Sequence, residues 1–401
     1  MPARDSVGEP PAKDSAAEPG GQPTLRLFRL FGIQFTANWS WIFLFAVLVY
    51  IAATAFSGLL LGLRPPLLWP LAVVAAVLCV ASLYAHELAH ALVARRFGIP
   101  VRTISLFLLG GMAHITRESP SPRAEFLIGL AGPLTSLTLG VTAGALSRVL
   151  WGLAPPVAAL CVWLAWMNIP LGILNLVPAY PLDGGRVLRA VLWFAADDVR
   201  WGSMVAARFG QLAALVLLFA GVYVPLQNPG NLLSGLWLIL TAWFMYAGAV
   251  SAQQAAVFSD ALRRLTVAAV MDRHYGRVEA GVSVQTFAEQ RLLESTRRAA
   301  AGNAPSAPEP SRAYAVYRDD RLIGLLSLRR LGRIPVQVWA QTAVERATIP
   351  IEAAPALEPG APALGALHLL TEEGAEQVAV MAEGRLLGLV TRADLARAAT
   401  R

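Results

Sequence analysis

The stretch of sequence that decides the fold is LWPLAVVAAVLCVASLYAHELAHALVA, residues 68–94. It is long enough to cross a membrane as a helix, and it carries no charged residue before Glu87. Within it, the pentad His86-Glu-Leu-Ala-His90 places two imidazoles about one helical turn apart on the same face. Their nitrogens can hold one Zn²⁺, and the carboxylate of Glu87 can act as a general base toward water.

The membrane setting strengthens this interpretation. Two histidines and a glutamate at membrane depth carry a free-energy cost, so a functional site is the default hypothesis for them. The alternative is a buried, hydrogen-bonded polar cluster that joins helices without doing chemistry. This alternative stays open until a third metal ligand is considered.

The composition predicts a membrane protein. Of the 401 residues, 56% are hydrophobic and 15% are charged, which is too apolar for a soluble two-domain protein. We predict a disordered cytosolic tail at residues 1–24, a six-span α-helical membrane domain at 25–252 and a soluble cytosolic α/β region at 253–401. The predicted spans are 38–56, 69–94, 124–147, 157–177, 206–225 and 232–250.

Arginine is distributed unevenly among the connections between these spans. One set of connections is rich in arginine, whereas the other carries only Arg64 and Arg148. The positive-inside rule therefore predicts a multi-pass protein of the cell membrane with both termini in the cytosol. Because arginines beside anionic lipid explain the net charge of +7, we expect the lipid bilayer as a partner and no nucleic acid. The arginine-rich set comprises Arg26, Arg29, Arg95, Arg96, Arg102, Arg117, Arg123, Arg186, Arg189, Arg200, Arg208, Arg263 and Arg264.

A catalytic zinc site needs a third protein ligand and leaves the fourth position open. The best candidate is Asp183, in NLVPAYPLDGGR at residues 175–186. Pro178 and Pro181 cannot continue an ordinary helix, so the fourth span must unwind before Asp183. A carboxylate on such a segment, followed by two flexible glycines, is well placed to approach a metal on another helix. The alternative is a simple turn at the cytosolic end of the span, capped by the aspartate.

Taken together, these motifs resemble the site-2 protease family of intramembrane zinc metalloproteases, in its prokaryotic branch with a C-terminal pair of CBS domains. The matching elements are HELAH at 86–90, LGGM at 109–112, AGP at 131–133 and NLVP with LDGG at 175–185. The resemblance implies that His86, His90 and Asp183 bind one Zn²⁺ and that Glu87 is the catalytic base. It implies hydrolysis of peptide bonds in or near the transmembrane segment of a single-span substrate. Counted from the outer start of the second span, His86 falls in the cytosolic half of the bilayer, so we expect a fragment to be released toward the cytosol.

The resemblance also implies roles for one amide and one hairpin. Asn175 matches a family asparagine near the active site, which would bond substrate backbone or a developing oxyanion. Alternatively, it satisfies carbonyls freed by Pro178. Residues 104–115 match a membrane-associated hairpin, where an extended substrate would pair edge to edge and Gly110 and Gly111 would allow close approach. A simple turn between spans is the alternative.

The C-terminal region contains an internal repeat. At an offset of 64 residues, 314–327 aligns with 378–391, and each copy predicts a strand, a polar turn, a strand and a helix. The repeat resembles a pair of CBS domains, at approximately 264–335 and 341–401. The resemblance implies a homodimer formed face to face through the CBS domains and an adenine nucleotide as a second cofactor.

The candidate nucleotide-binding residues are Thr391 and Asp394. Gly388-Leu-Val-Thr391-Arg-Ala-Asp394 fits the family stretch G-x-x-T-x-x-D, with Thr toward phosphate and Asp toward the ribose hydroxyls. In the first copy Ser327 replaces the Thr and Arg330 takes the Asp position, so the resemblance supports at most one full site. The alternative for Thr391 and Asp394 is capping of a helix.

Three functions from different classes fit this organisation. The first is an active intramembrane protease whose CBS pair senses nucleotide or packs against the membrane domain. The second is a CBS-gated transporter or channel, which does not require the HELAH and Asp-Gly-Gly motifs together. The third is a catalytically silent scaffold, which would not need the base Glu87. The motifs therefore predict an active metalloprotease.

Overall fold

The computed structural model describes residues 24–60, 65–107, 110–115, 119–300, 313–372 and 374–399. Apart from Thr24, the predicted tail lies outside these residues. Within them the chain forms two compact units. The first comprises residues up to Leu92, Val101–His114 and Leu134–Gly172, and the second comprises Val93–Pro100, Ile115–Pro133 and the residues from Ile173 on.

The strands of the first unit form one sheet in the order β1-β2-β3-β4. Their bounds are β1 Thr24–Leu30, β2 Ile33–Asn38, β3 Val101–Phe107 and β4 Gly110–Ile115. β1 and β2 form an antiparallel hairpin, and β3 runs parallel to β2. Within the predicted hairpin at 104–115, β3 and β4 are neighbours in the sheet and β4 stands at one end of its order, whereas residues 108 and 109 between them lie outside the described residues.

Six of the helices that the structure describes are long and apolar enough to cross a membrane, which confirms the predicted six spans. They are α1 Ser40–Leu59, α2 Pro65–Arg96, α3 Pro122–Leu150, α4 Pro155–Asn175, α6 Val199–Gln227 and α7 Leu232–Arg264. α4 has the same length as its predicted span, 21 residues, but begins two residues earlier. The other five helices are longer than their predicted spans, because residues that favour helix extend the apolar segments.

One helix was not predicted. α5, Asp183–Ala196, lies between the fourth and fifth spans and is amphipathic, with buried Gly184, Gly185 and Ala190. It is too short and too polar at its start to stand out as a span, so hydropathy alone does not reveal it.

Small side chains dominate the core between α1, α2 and α4 in the first unit. Alanines from all three helices lie there at 4% exposure or less, beside the larger Phe56 and Trp163, whose rings meet edge to face. Since lipid supplies no hydrophobic force between helices, close approach of backbones through small residues is the usual way to pack them. These alanines are Ala52, Ala53, Ala72, Ala75 and Ala159.

The C-terminal region of the second unit is built from α/β repeats. Its elements are α8 Val267–Val270, β5 Gly276–Glu279, α9 Val284–Ala300, β6 Tyr314–Arg318, β7 Arg321–Leu326, α10 Leu328–Leu331, β8 Thr348–Pro350, β9 Ala356–Leu357, α11 Ala363–Glu372, β10 Val378–Ala382, β11 Arg385–Val390 and α12 Arg392–Ala399. They form two sheets, ordered β5-β6-β7-β8 and β11-β10-β9.

The two hairpins β6–β7 and β10–β11 confirm the predicted repeat. Each is antiparallel and has its register shift at the equivalent place, between Val316 and Tyr317 and between Val380 and Met381. Each turn begins with a residue of positive φ, Asp319 or Glu383, as tight hairpins require.

Helix α7 runs without interruption past the predicted domain boundary at 252. Near its end, Leu262 is fully buried in a core shared with Val267, Ala366 and Val380 of the C-terminal region. The last turns of α7 are therefore a structural part of that region, and the division into domains at 252 stays a prediction.

Candidate metal centre

The two histidines of the HELAH motif face inward from the last third of α2. His86 and His90 are each 3% exposed, and their Nε2 atoms lie 3.3 Å apart. The other ring nitrogen of His86, Nδ1, lies 2.9 Å from the hydroxyl of Ser136 on α3. When Nδ1 carries the proton and donates to this hydroxyl, Nε2 is unprotonated and is able to bind a metal ion.

This arrangement fits a shared metal. Two nitrogens bound to one tetrahedral Zn²⁺ at roughly 2.0–2.1 Å stand about 3.4 Å apart, close to the distance between the two Nε2 atoms. Without a cation between them, two unprotonated Nε2 atoms at this distance would repel each other. The donor set thus fits zinc, and Ser136 is the kind of outer partner that orients a metal-binding histidine.

Asp183 lies at the first turn of α5, after a segment without regular helix. α4 ends at Asn175 and α5 begins at Asp183, so the predicted unwinding around Pro178 and Pro181 is confirmed. The Tyr180–Pro181 peptide bond is cis.

Gly184 and Gly185, which follow Asp183, do not provide the flexibility that the sequence predicted. Both belong to α5 and are buried, so they do not form a flexible connection. A Cβ on Gly184 would lie 2.2 Å from the carbonyl oxygen of Val177, and one on Gly185 would lie 2.6 Å from the amide of Tyr180. They are needed because α5 packs directly on the backbone of the loop that precedes it.

The start of α5 is anchored by a buried carboxylate on α3. Glu125 has a fully buried side chain, and its Oε1 accepts from Arg186 at 3.1 Å and from Arg189 at 2.5 Å. The hydroxyl of Ser119 donates to its other oxygen. A buried carboxylate is tolerated when it is paired in this way. Arg186 and Arg189 were named from the sequence only for their bearing on topology, and Glu125 and Ser119 were not named. The acidic Glu125 at the start of an apolar segment was a usable signal, whereas nothing marked Ser136.

Helices α6 and α7 hold the other side of the loop. The amide of Tyr180 donates to the carbonyl of Ala206 at 3.4 Å. A Cβ on Gly210 would lie 2.2 Å from the carbonyl oxygen of Tyr180, and one on Gly248 would lie 2.8 Å from the ring of Pro181. The loop that precedes Asp183 is therefore in close contact with α6 and α7 at its backbone, which limits movement of the start of α5.

The candidate ligands come together as one group. His86, His90 and Asp183 each offer one ligand atom, and these atoms lie within 4.8 Å of one another. The two histidines are buried and Asp183 is partly buried. Within the part of the chain that the structure describes, no other three His, Cys, Asp or Glu residues form such a group. Glu87, partly buried, lies next to His86 on the same helix.

Comparisons with known proteins match this organisation. The sequence profile of peptidase family M50 matches residues 74–154 and 151–221, and that of the CBS domain matches residues 347–401. The protein "Putative zinc metalloprotease Rip3" of Mycobacterium tuberculosis is 33% identical over 375 residues, which cover 92% of this chain and 91% of Rip3. The chain belongs to peptidase family M50, the site-2 proteases.

Two further matches are from Methanocaldococcus jannaschii. "Zinc metalloprotease MJ0392" is 26% identical over 269 residues, which cover 67% of this chain and 72% of the relative. A solved structure, "Site-2 Protease from Methanocaldococcus jannaschii", is 29% identical, covers 58% of this chain and 95% of that chain, and has a TM-score of 0.41. As a member of family M50, this chain is a zinc metalloprotease with a multi-pass membrane region and a C-terminal CBS region.

The structure shows where the other predicted site residues lie, but it does not test their roles. Asn175 is the last residue of α4 and is partly buried. Gly110 and Gly111 are the first two residues of β4. Their contributions to substrate binding stay predictions.

Thr391 and Asp394 form a helix cap at the start of α12. The amide and the hydroxyl of Thr391 both donate to Oδ2 of Asp394, at 2.8 and 2.6 Å, and Arg397 donates to Oδ1. The capping alternative is thus what these side chains do here. Ser327 occupies the same place before α10 and accepts from the amide of Arg330. Nucleotide binding at Thr391 and Asp394 stays a prediction.

Proposed function

We propose that this M50 protease hydrolyses peptide bonds in or near the transmembrane segment of single-span membrane proteins. In this proposal His86, His90 and Asp183 hold one zinc ion and Glu87 is the general base. The observation that carries it is the group of three ligand atoms within 4.8 Å of one another, on the helix that also bears Glu87 and on the start of α5.

The metal ion and the side chains contribute different parts of the chemistry. Bound zinc supplies Lewis acidity, which makes water a better nucleophile and polarises a carbonyl. Glu87 removes a proton from the attacking water at its carboxylate and later delivers that proton to the leaving amide nitrogen. Ser136 keeps the ring of His86 in one tautomer and orientation through the 2.9 Å contact with Nδ1.

A helical substrate hides its peptide bonds in its own hydrogen bonds, so it must unwind before hydrolysis. We propose that the unwound segment adds to the free edge of β4, which is an end strand of the sheet order. Gly110 and Gly111, which have no side chains, permit close approach of that segment. Asn175 then donates to the substrate backbone or to the developing oxyanion.

The arginine distribution supports a location in the cell membrane with both termini in the cytosol. Release of the product toward the cytosol follows from this orientation. The region from 253 on is then cytosolic, and we propose that adenine nucleotide at Thr391 and Asp394 modulates cleavage. A homodimer through the CBS region is part of the same proposal.

The test compares wild type with Glu87→Gln and Asp183→Ala. Zinc content of each purified protein separates loss of the metal from loss of the base. We expect Glu87→Gln to keep its zinc and to lose cleavage, whereas Asp183→Ala loses both. Quantitative membrane proteomics of cells carrying each protein should show a single-span protein, or its membrane stub, accumulating with both variants.

Two results would contradict the proposal. Undiminished zinc in Asp183→Ala would remove this residue from the ligand set. An unchanged membrane proteome in Glu87→Gln cells under every stress condition would favour a scaffold that binds membrane segments without cutting them.

A further inference from the structure

Arg208 is an exposed cation within a helix that is apolar enough to cross a membrane. It lies on α6, nineteen residues before the last residue of that helix, Gln227. Among the residues that the structure describes, none forms a hydrogen bond or ion pair with its side chain. An arginine without a protein partner inside the hydrocarbon core is costly, so its guanidinium usually reaches the interface.

The position of Arg208 along α6 matches the level of lipid headgroups. Nineteen residues of helix extend about 28 Å, and the hydrocarbon core of a bilayer is about 30 Å thick. When Gln227 stands at one interface, Arg208 therefore stands near the other. A long arginine side chain can place its guanidinium among phosphates from that position.

Arg208 closes one end of a groove between α6 and α7. The groove has a volume of about 670 Å³ and is lined by Leu215 and Leu218 from α6 and by Trp243 from α7. Its polar end is formed by Arg208 and by Gln211. Of the described lining residues, Arg208 is the only charged one. The groove thus has one apolar compartment and one cationic end.

The polar end is held in place by a contact between the two helices. The amide of Gln211 donates to Oε1 of Gln253 on α7 at 2.7 Å. Trp243 and Leu215 are 65% and 60% exposed, so the apolar part of the groove is open along the helix surface. A long, flexible chain can therefore enter from the side.

We propose that an anionic phospholipid occupies this groove, with its phosphate on the guanidinium of Arg208 and one acyl chain along Leu215, Leu218 and Trp243. Basic pockets between transmembrane helices are typical sites for anionic headgroups, and guanidinium binds phosphate oxygens through two parallel hydrogen bonds. The apolar wall matches an acyl chain, and the single positive charge matches one phosphate.

The site adjoins the helix pair that clamps the loop before Asp183. Ala214 lines the groove and also packs in a cluster with Ala179 of that loop and Met245 of α7. Bound lipid would therefore stabilise the packing of α6 and α7 behind the loop without touching the candidate ligands.

The test uses full-length protein in nanodiscs that contain phosphatidylglycerol and phosphatidylcholine in equal amounts. After release into detergent, native mass spectrometry counts the lipids that each protein retains. We expect wild type and Arg208→Lys to retain phosphatidylglycerol in preference. Arg208→Gln should lower that preference about fivefold, the effect typical of one basic residue beside an anionic surface.

Two control variants make the result specific to the groove. Arg123→Gln removes an exposed arginine from the first turn of α3 and should leave the preference unchanged. Leu215→Trp fills the apolar compartment and should reduce retention even though Arg208 is present. Equal losses in Arg123→Gln and Arg208→Gln would overturn the proposal, because they would indicate general surface charge.

A second outcome would overturn it in favour of another occupant. If wild type retains neither lipid but binds a hydrophobic transmembrane peptide in the same assay, and Leu215→Trp abolishes that binding, the groove is a docking site for a membrane segment. Retention of phosphatidylglycerol and phosphatidylcholine to the same extent would show that Arg208 does not select the headgroup.

Discussion

His86 has one nitrogen beside His90 and the other beside Ser136, and these two contacts limit what its ring can do. The hydroxyl of Ser136 is fully buried on α3 and lies 2.9 Å from Nδ1. It therefore holds the ring in the orientation that brings Nε2 to within 3.3 Å of its counterpart in His90. A histidine without this partner would rotate and change tautomer more freely.

We expect Ser136→Ala to weaken zinc binding by about 10- to 100-fold, the usual cost of losing an outer partner of a metal-binding histidine. Chelator competition on the purified protein measures this affinity. Ser147→Ala is the matched control, because Ser147 is a buried serine of the same helix whose hydroxyl donates to the carbonyl of Gly144. Equal zinc affinity in the two variants would contradict the role given to Ser136.

At the scale of elements, the segment from Leu176 to Leu182 is positioned by backbone packing on both sides. Gly184 and Gly185 allow α5 to lie against it, and Gly210 and Gly248 allow α6 and α7 to do so. Glu125 fixes α5 from a third direction through Arg186 and Arg189. The start of α5, which carries Asp183, is therefore fixed by three helices and by the loop before it. A rigid support of this kind favours a preorganised site.

We expect Gly210→Ala to destabilise the protein by about 1–3 kcal/mol, because the added methyl group would overlap the carbonyl oxygen of Tyr180. The displaced loop should also lower zinc occupancy. Gly58→Ala is the control: a Cβ at this helical glycine meets nothing within 4 Å, and alanine favours helix. The free energy of unfolding in detergent, with zinc content, is the measurement. If Gly210→Ala has the same free energy of unfolding and the same zinc content as wild type, the loop tolerates movement.

At the scale of the whole chain, α7 joins the membrane region to the CBS region as one continuous helix. It pairs with α6 near Gly221 and Gly235, and Arg200 binds Asp260 at 2.8 Å farther along. Its last turns then contribute Leu262 to the core of the CBS region. A helix without a break transmits displacement more directly than a flexible linker.

We expect Leu262→Ala to destabilise the CBS region by about 2–5 kcal/mol, because it leaves a cavity in that core. Leu233→Ala on the same helix is the control, since Leu233 is 82% exposed. Hydrogen exchange of β10 and β11 measures the change. If exchange rises equally in both variants, α7 is not a structural part of the CBS core.

Features encoded by neighbouring residues could be predicted from the sequence. The HELAH pentad, the six apolar spans, the break caused by Pro178 and Pro181, and the 64-residue repeat all depend on local spacing and composition. The spacing of four residues led to His86 and His90, and the need for a third ligand, with the helix break before it, led to Asp183.

Only the tertiary structure decided how those parts are held. Glu125 lies about sixty positions before its partners Arg186 and Arg189, and no local pattern connects them. The same holds for Ser136 beside His86 and for the backbone contact that makes Gly210 necessary. For Thr391 and Asp394 the spacing was visible in the sequence, and it allowed either a nucleotide site or a helix cap. Their mutual hydrogen bond was seen only in the structure. Spacing along the chain sets which side chains share a face, whereas packing between distant segments sets which atoms touch.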